Sequence, residues 1–172
     1  ASMAPPRPEP YILTPKAPDL PRINGPEIYG AGQARPFLYK VPVTGRRPVS
    51  ISAVGLPGGL VIDASTGIIS GTSPGSGDYP ILLIAENDLG RAEKHFLVRV
   101  GAGLALTPPM GWNSWNCWGL SVSQEKVLSS AQAMVSSGLI EHGWSYMNID
   151  DGWEAAERTP SAAAGTPSAT SG

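Results

Sequence analysis

The chain has 172 residues, 41% of them hydrophobic, and its 12 Lys and Arg against 14 Asp and Glu give a formal net charge of -2. A balanced charge without a basic run excludes the electrostatic footprint of a nucleic-acid binder, and no apolar stretch approaches the roughly 20 residues of a membrane span. We therefore expect no nucleic-acid partner and no membrane span. The length fits one medium domain or two small ones.

Residues 1–22 are rich in proline and have almost no apolar periodicity, which predicts an extended leader or linker. The chain starts at Ala1 without an initiator Met or an apolar signal core. Either it is cytosolic or a leader has already been removed, and the sequence leaves both open.

Residues 23–101 hold short β-type runs separated by Gly, Pro, Asn and Asp at intervals of about 8 to 12 residues, which is typical of a β-sandwich. Acidic residues are too scattered there to offer Ca²⁺ six oxygens, so we predict neither a metal nor a cofactor. The candidate strands are 27–29, 37–43, 49–53, 68–70, 79–86 and 92–100.

Turn motifs of this region match a known type of module. They are Gly-Leu-Pro-Gly-Gly-Leu at 55–60, Asp63 followed by Thr66-Gly67, and Gly-Asp-Tyr at 77–79. In these motifs the region resembles the immunoglobulin-like, cadherin-related modules of bacterial surface and secreted proteins. The resemblance implies that these residues maintain the fold and carry no chemistry.

Residues 102–153 follow a strand, helix, strand order. Because proline cannot donate to a ladder, pairing should begin after Pro109 and run over residues 110–113. Ser121 and Ser123 are alternative helix caps, and the helix should end by Gly138. The second strand is predicted at 146–149, parallel to the first. One apolar stripe should face the sheet, formed by Val127, Ala131, Met134 and Val135.

Residues 154–172 contain no bulky apolar side chain, so we predict a low-complexity tail that cannot form a core.

Two motifs carry the chemistry of the chain: Thr-Pro-Pro-Met-Gly-Trp-Asn-Ser-Trp at 107–115 and Tyr-Met-Asn-Ile-Asp-Asp-Gly-Trp at 146–153. Together they resemble the start of the α-galactosidases (melibiases) of glycoside hydrolase family 27. The resemblance implies a (β/α)₈ barrel, a retaining mechanism and a galactose-containing oligo- or polysaccharide as partner.

Four residues form the predicted substrate site: Trp115, Asp150, Asp151 and Trp153. Carboxylates at a strand end accept charge-assisted hydrogen bonds from sugar hydroxyls, and aromatic faces cover the apolar side of a pyranose. Side chains alternate along a strand, so Asp150 and Asp151 cannot comfortably flank one glycosidic bond as nucleophile and acid. The resemblance likewise implies that both aspartates and Trp115 line a galactose pocket. The alternative for the aspartate pair is a strand-terminal cap.

The catalytic carboxylates are not expected in this chain. A retaining glycosidase needs two carboxyl groups about 5 to 5.5 Å apart, and the resemblance implies that both come from later strands. A barrel takes about 250 residues. We therefore predict a multidomain chain, in which an Ig-like β-sandwich is followed by the first βαβ unit of an incomplete (β/α)₈ TIM barrel. We expect this chain to be inactive alone. We expect the protein to be located outside the cell or in the periplasm.

A second function remains open from the sequence. The Ig-like part could be a non-catalytic extracellular binding or adhesion module, with residues 102–153 as a relic. If the chain belongs to a glycoside hydrolase, α-N-acetylgalactosaminidase and β-L-arabinopyranosidase specificities also stay open beside release of terminal α-D-galactose.

Overall fold

The computed structural model describes residues 16–103 and 105–154. Most of the predicted proline-rich linker and of the predicted low-complexity tail lies outside these residues. The described residues form two parts, which we call the sandwich domain (16–101) and the C-terminal unit (105–154). Among them, no helix has the length and apolar character that crossing a membrane requires.

The sandwich domain consists of two main sheets. One has the strand order β2-β9-β8-β5, with β2 parallel to β9 and the other pairs antiparallel, and the second has the order β3-β7-β6, all antiparallel. A two-stranded pair, β1-β4, lies beside them. The strands are β1 Arg22–Ile23, β2 Ile28–Ala31, β3 Pro36–Lys40, β4 Val43–Thr44, β5 Ser50–Val54, β6 Leu60–Ile62, β7 Ile68–Thr72, β8 Gly77–Asn87 and β9 Gly90–Val100.

The core of this domain lies between the two sheets. Alternation along β9 places Phe96, Val98 and Val100 inward and Arg99 outward, as expected of a strand with one buried face. Across the core, the ring of Tyr39 stacks on Phe96 with centroids 4.8 Å apart. Burial of such side chains contributes about 1.5 to 3 kcal/mol each, which makes this part of the chain an independent hydrophobic unit.

All six candidate strands of the sandwich exist, with shifted ends, but the short strands β1 and β6 were not predicted. The run predicted at 37–43 is divided into β3 and β4 around Pro42, which has no amide hydrogen to donate. β6 is only three residues long and lies between turn residues, so its pattern is too short to be recognised. The turn role of Asp63 is confirmed, since its Oδ1 accepts from the Ser65 amide at 2.9 Å.

The C-terminal unit pairs two strands in parallel around a helix. Its elements are β10 Gly111–Asn113, α1 Trp115–Trp118, a 3-10 helix at Gly119–Ser121, α2 Gln124–Ser136, a second 3-10 helix at Leu139–His142, and β11 Tyr146–Asn148. The register places Gly111 opposite Tyr146 and Asn113 opposite Asn148, which confirms that the two strands are parallel as predicted. Ser123, one of the two predicted caps, is the N-cap of α2 and accepts from the Lys126 amide at 3.3 Å.

One prediction for this unit was wrong in detail, and one element was missed. Of the stripe on α2, Met134 is buried but Val135 is 53% exposed, because the two short strands cover only part of the helix face. The short helix α1 was not predicted, since four residues are too few for an apolar period to appear.

Candidate functional site

The candidate site is built where β10 and β11 end. Because the strands are parallel, the residues that follow them meet at one edge of the sheet. Asn113, the last residue of β10, donates from Nδ2 to Oδ2 of Asp150 at 2.9 Å. Its Oδ1 accepts from the Trp115 amide at 2.9 Å. The Asn113 carboxamide therefore links two of the predicted site residues.

Ser114 holds the backbone next to the hydrogen bond between Asn113 and Asp150. Its side chain is fully buried, and its Oγ accepts from the Asp150 amide at 2.9 Å. Its own amide donates to the Asn148 carbonyl at 3.0 Å, and its carbonyl accepts from the amide of Trp118 at 2.9 Å. One serine thus connects the end of β11 with the start of α1.

The two aspartates lie in the segment that follows β11. Both are exposed, Oδ1 of Asp150 accepts from the Asp151 amide at 2.9 Å, and Oδ1 of Asp151 accepts from the Gly152 amide at 2.8 Å. Since β11 ends at Asn148, strand alternation does not dictate where these side chains point. The argument from alternation was therefore wrong for this pair, whereas the acceptor role of carboxylates at a strand end still applies.

The aromatic side chains of the predicted site are open to solvent. Trp115 is 44% exposed and Trp153 is 64% exposed. Trp118, by contrast, is partly buried and lies against α2, with Lys126 Nζ 5.0 Å from its ring centroid. Large exposed indole faces beside carboxylates are suited to stacking on the apolar face of a sugar ring.

Sequence reasoning missed Asn113 and Ser114 as residues of this site. Both lie inside the Gly-Trp-Asn-Ser-Trp motif at 111–115, so the signal was present. Their role depends on contacts with Asp150, about 36 residues later, and only strand pairing brings these residues together.

A cavity lies away from these residues. It has a volume of about 850 Å³ and runs between the two parts, lined by residues such as Tyr29, Tyr39, Met110 and Tyr146. Met110 and Tyr146 lie at the amino ends of the strands, opposite the aspartates. Within the described residues, no group of three or more His, Cys, Asp and Glu could hold a metal ion.

Comparison with known proteins finds a matching family model and several similar proteins. A family model described as "Putative Ig domain" matches residues 21–101. An α-galactosidase of Cyamopsis tetragonoloba is 44% identical over 75 residues, which are 42% of this chain and 18% of that protein. Alpha-galactosidase A of Cellvibrio japonicus is 52% identical over 50 residues, 29% of this chain and 12% of that protein.

Solved structures match both parts together. A structure described as a putative alpha-galactosidase from Bacteroides fragilis has 46% identity and a TM-score of 0.79, and covers 86% of this chain and 32% of its own. A second from the same organism, a putative alpha-galactosidase/melibiase, has 45% identity and a TM-score of 0.77, over 81% of this chain and 30% of its own.

The chain thus spans less than a fifth of these two curated relatives and about a third of the two solved structures. The resemblance predicted from the motifs is confirmed: an Ig-type domain precedes a segment that is similar to α-galactosidases.

Proposed function

We propose that residues 102–153 form the first βαβ unit of a (β/α)₈ barrel in a retaining hydrolase that releases terminal α-D-galactose. One observation carries this proposal: Asn113 and Asp150 meet at the carboxyl ends of two adjacent parallel strands. In (β/α)₈ enzymes, substrate-binding groups sit at that end of the strands. The similarity to α-galactosidases supports the choice of sugar.

Binding of the sugar is the role we assign to the aspartates. Each oxygen of Asp150 accepts one hydrogen bond from the protein, Oδ1 from the Asp151 amide and Oδ2 from Asn113. A carboxylate oxygen has further lone-pair capacity, so both remain able to accept from a hydroxyl. Asp151 offers a second such carboxylate.

Two tryptophans complete the proposed site. Trp115 and Trp153 would cover the apolar side of the galactose ring, and their exposure leaves these faces open to a ligand. The nucleophile and the acid/base belong to strands beyond these residues. The partner is a galactose-containing oligo- or polysaccharide, met outside the cell or in the periplasm.

A panel of aryl glycosides tests this function. The full-length protein that contains these residues should hydrolyse an aryl α-D-galactoside faster than the matching α-N-acetylgalactosaminide and β-L-arabinopyranoside, with retention at the anomeric carbon. The 172-residue chain should release no aryl group, because binding groups alone do not stabilise the oxocarbenium-like transition state. Preference for another sugar, or inversion, would refute the assignment.

A further inference from the structure

Glu141 is the centre of the contact between the two parts of the chain. It lies in the 3-10 helix Leu139–His142, and its Oε2 accepts from Lys40 Nζ at 3.1 Å and from the Val43 amide at 3.2 Å. Arg47 Nη2 lies 3.1 Å from the same oxygen. Two cations and one amide of the sandwich domain therefore converge on one carboxylate, which is only 26% exposed.

The backbone of the same residue is held as well. Asn24 Nδ2 donates to the Glu141 carbonyl at 2.9 Å and to Thr44 Oγ1 at 3.1 Å. Asn24 directly follows β1 and Thr44 belongs to β4, so these hydrogen bonds adjoin the small β1-β4 pair. We call these interactions of Glu141 with Asn24, Lys40, Val43 and Arg47 the Glu141 contact.

The two parts of the chain also pack closely at other positions. Gly143 has a φ of +99°, and a Cβ there would lie 3.4 Å from the Cα of Gly25. The side chain of Leu106 lies so close to Gly30 that a Cβ at that position would be 3.1 Å from it. Tyr29 and Tyr146 line the same cavity between the two parts. Burial raises the pKa of Tyr29, and the neighbouring Tyr146 side chain raises it further.

These contacts are made by residues that precede β10 and β11 and by Tyr146 at the amino end of β11. Tyr146 is the first residue of β11, and the Met110 carbonyl just before β10 accepts from the amides of Ser145 and Tyr146. Asp150 and Asp151 follow the opposite, carboxyl end of the same strands. The sandwich domain therefore does not contribute to the candidate sugar site.

The C-terminal unit has little core of its own. Among its described residues only Ser114 and Met134 are buried, whereas the sandwich domain has a continuous apolar core. A two-stranded unit buries too little surface to offset about 1 to 2 kcal/mol of backbone entropy per residue. Its order must depend on contacts outside it.

We propose that the sandwich domain acts as an intramolecular support that orders the C-terminal unit through the Glu141 contact, rather than as a module that binds carbohydrate. The arrangement has a counterpart in a solved structure, because the superposition that covers 86% of this chain includes more residues than either part contains. The inference is independent of which sugar the site takes.

The tryptophans allow a direct test in the 172-residue chain. All five lie in the C-terminal unit, at positions 112, 115, 118, 144 and 153, so their fluorescence reports that unit alone. The far-ultraviolet β signal comes mainly from the sandwich domain. Both signals are followed during thermal unfolding of the wild type, Glu141→Gln and the control Glu125→Gln, which alters an exposed carboxylate on α2.

Glu141→Gln should lower the midpoint of the fluorescence transition by roughly 4 °C or more and leave the β-signal midpoint within about 1 °C. The control should change neither midpoint by more than about 1 °C. Lys40→Met should lower the fluorescence midpoint too, and the double variant should lower it by less than the sum of the two, as expected of directly interacting groups.

Two results would overturn the inference. In one, Glu141→Gln and Glu125→Gln have the same fluorescence midpoint, which means that the contact does not order the unit. In the other, the wild type shows no cooperative fluorescence transition while the β signal melts normally, which means that the sandwich domain folds without ordering the unit.

Discussion

Ser114 is the residue on which the geometry of the candidate site most depends. Its hydroxyl is fully buried, accepts from the Asp150 amide and lies between the end of β11 and the start of α1. A buried donor that loses its partner costs about 1 to 3 kcal/mol, more than an exposed hydroxyl of the same type contributes. Position within the fold, and not residue type, therefore distinguishes this serine from others in the unit.

Ser114→Ala should reduce the free energy of unfolding of the C-terminal unit by about 1 to 3 kcal/mol, because the Asp150 amide loses its acceptor. Denaturant unfolding followed by tryptophan fluorescence measures this. Ser129→Ala is the matched control, since its exposed hydroxyl only bonds to the Lys126 carbonyl within the helix. Equal losses for the two variants would contradict the role given to Ser114.

Asp63 gives a prediction about pH. A hydrogen bond from the Ser65 side chain, then those from the Thr66 and Ser65 amides, lower the pKa of this carboxyl to about 2, from 3.8. Because its folded-state pKa is depressed, Asp63 stabilises the sandwich domain fully above about pH 4 and loses this contribution as pH falls through about 2. The thermal midpoints of wild type and Asp63→Asn should therefore converge between pH 4 and 2. An NMR titration in which the Asp63 carboxyl group has a pKa near 4 would contradict this prediction.

At the scale of elements, the pair β10-β11 is the framework of the site. Gly111 faces Tyr146 in the parallel register, and a Cβ at position 111 would overlap the Tyr146 carbonyl oxygen. The glycine is required by close approach of backbone and not by a positive φ. Any side chain there must push the two strands apart.

Gly111→Ala should therefore separate β10 from β11 and abolish the cooperative fluorescence transition, while the β signal of the sandwich domain persists. Gly58→Ala is the control, because a Cβ at Gly58 has no atom within 4 Å. A Gly111→Ala chain with a normal fluorescence transition would show that the strands tolerate the added methyl group.

Elements with a local signature were predictable from the sequence. The cap at Ser123 and the 3.6-residue period identified α2, and the turn residues around Asp63 marked the sandwich strands. The pair β1-β4 and the role of Asn113 were not predictable, because they depend on partners far along the chain. The burial of Val135 was predicted wrongly, since a helix period does not reveal how wide the sheet beneath it is.

On the scale of the whole molecule, we assign separate tasks to the two ends of β10 and β11. The segment before the amino end of β11 meets the sandwich domain through the Glu141 contact, and the carboxyl ends of both strands lead to Asn113 and Asp150. Under the two proposals, support and recognition are therefore at opposite ends of one pair of strands. A substitution in the sandwich domain at the Glu141 contact should alter the stability of the C-terminal unit without changing the sugar preference of the site.

The most direct test of the proposed function is the effect of the two aspartates on kcat/KM. In the full-length protein, Asp150→Asn and Asp151→Asn should each lower kcat/KM for an aryl α-galactoside, through loss of a charge-assisted hydrogen bond to the sugar. At roughly 1.5 to 3 kcal/mol per bond, the decrease is about tenfold to more than a hundredfold.

Asp88→Asn serves as control in the same measurement, because this exposed carboxylate pairs with Arg46 of the sandwich domain and is not part of the candidate site. It should leave kcat/KM unchanged, and both site variants should keep the wild-type unfolding midpoint within a few degrees. Wild-type kcat/KM in Asp150→Asn and Asp151→Asn would contradict the assignment of these carboxylates to galactose binding.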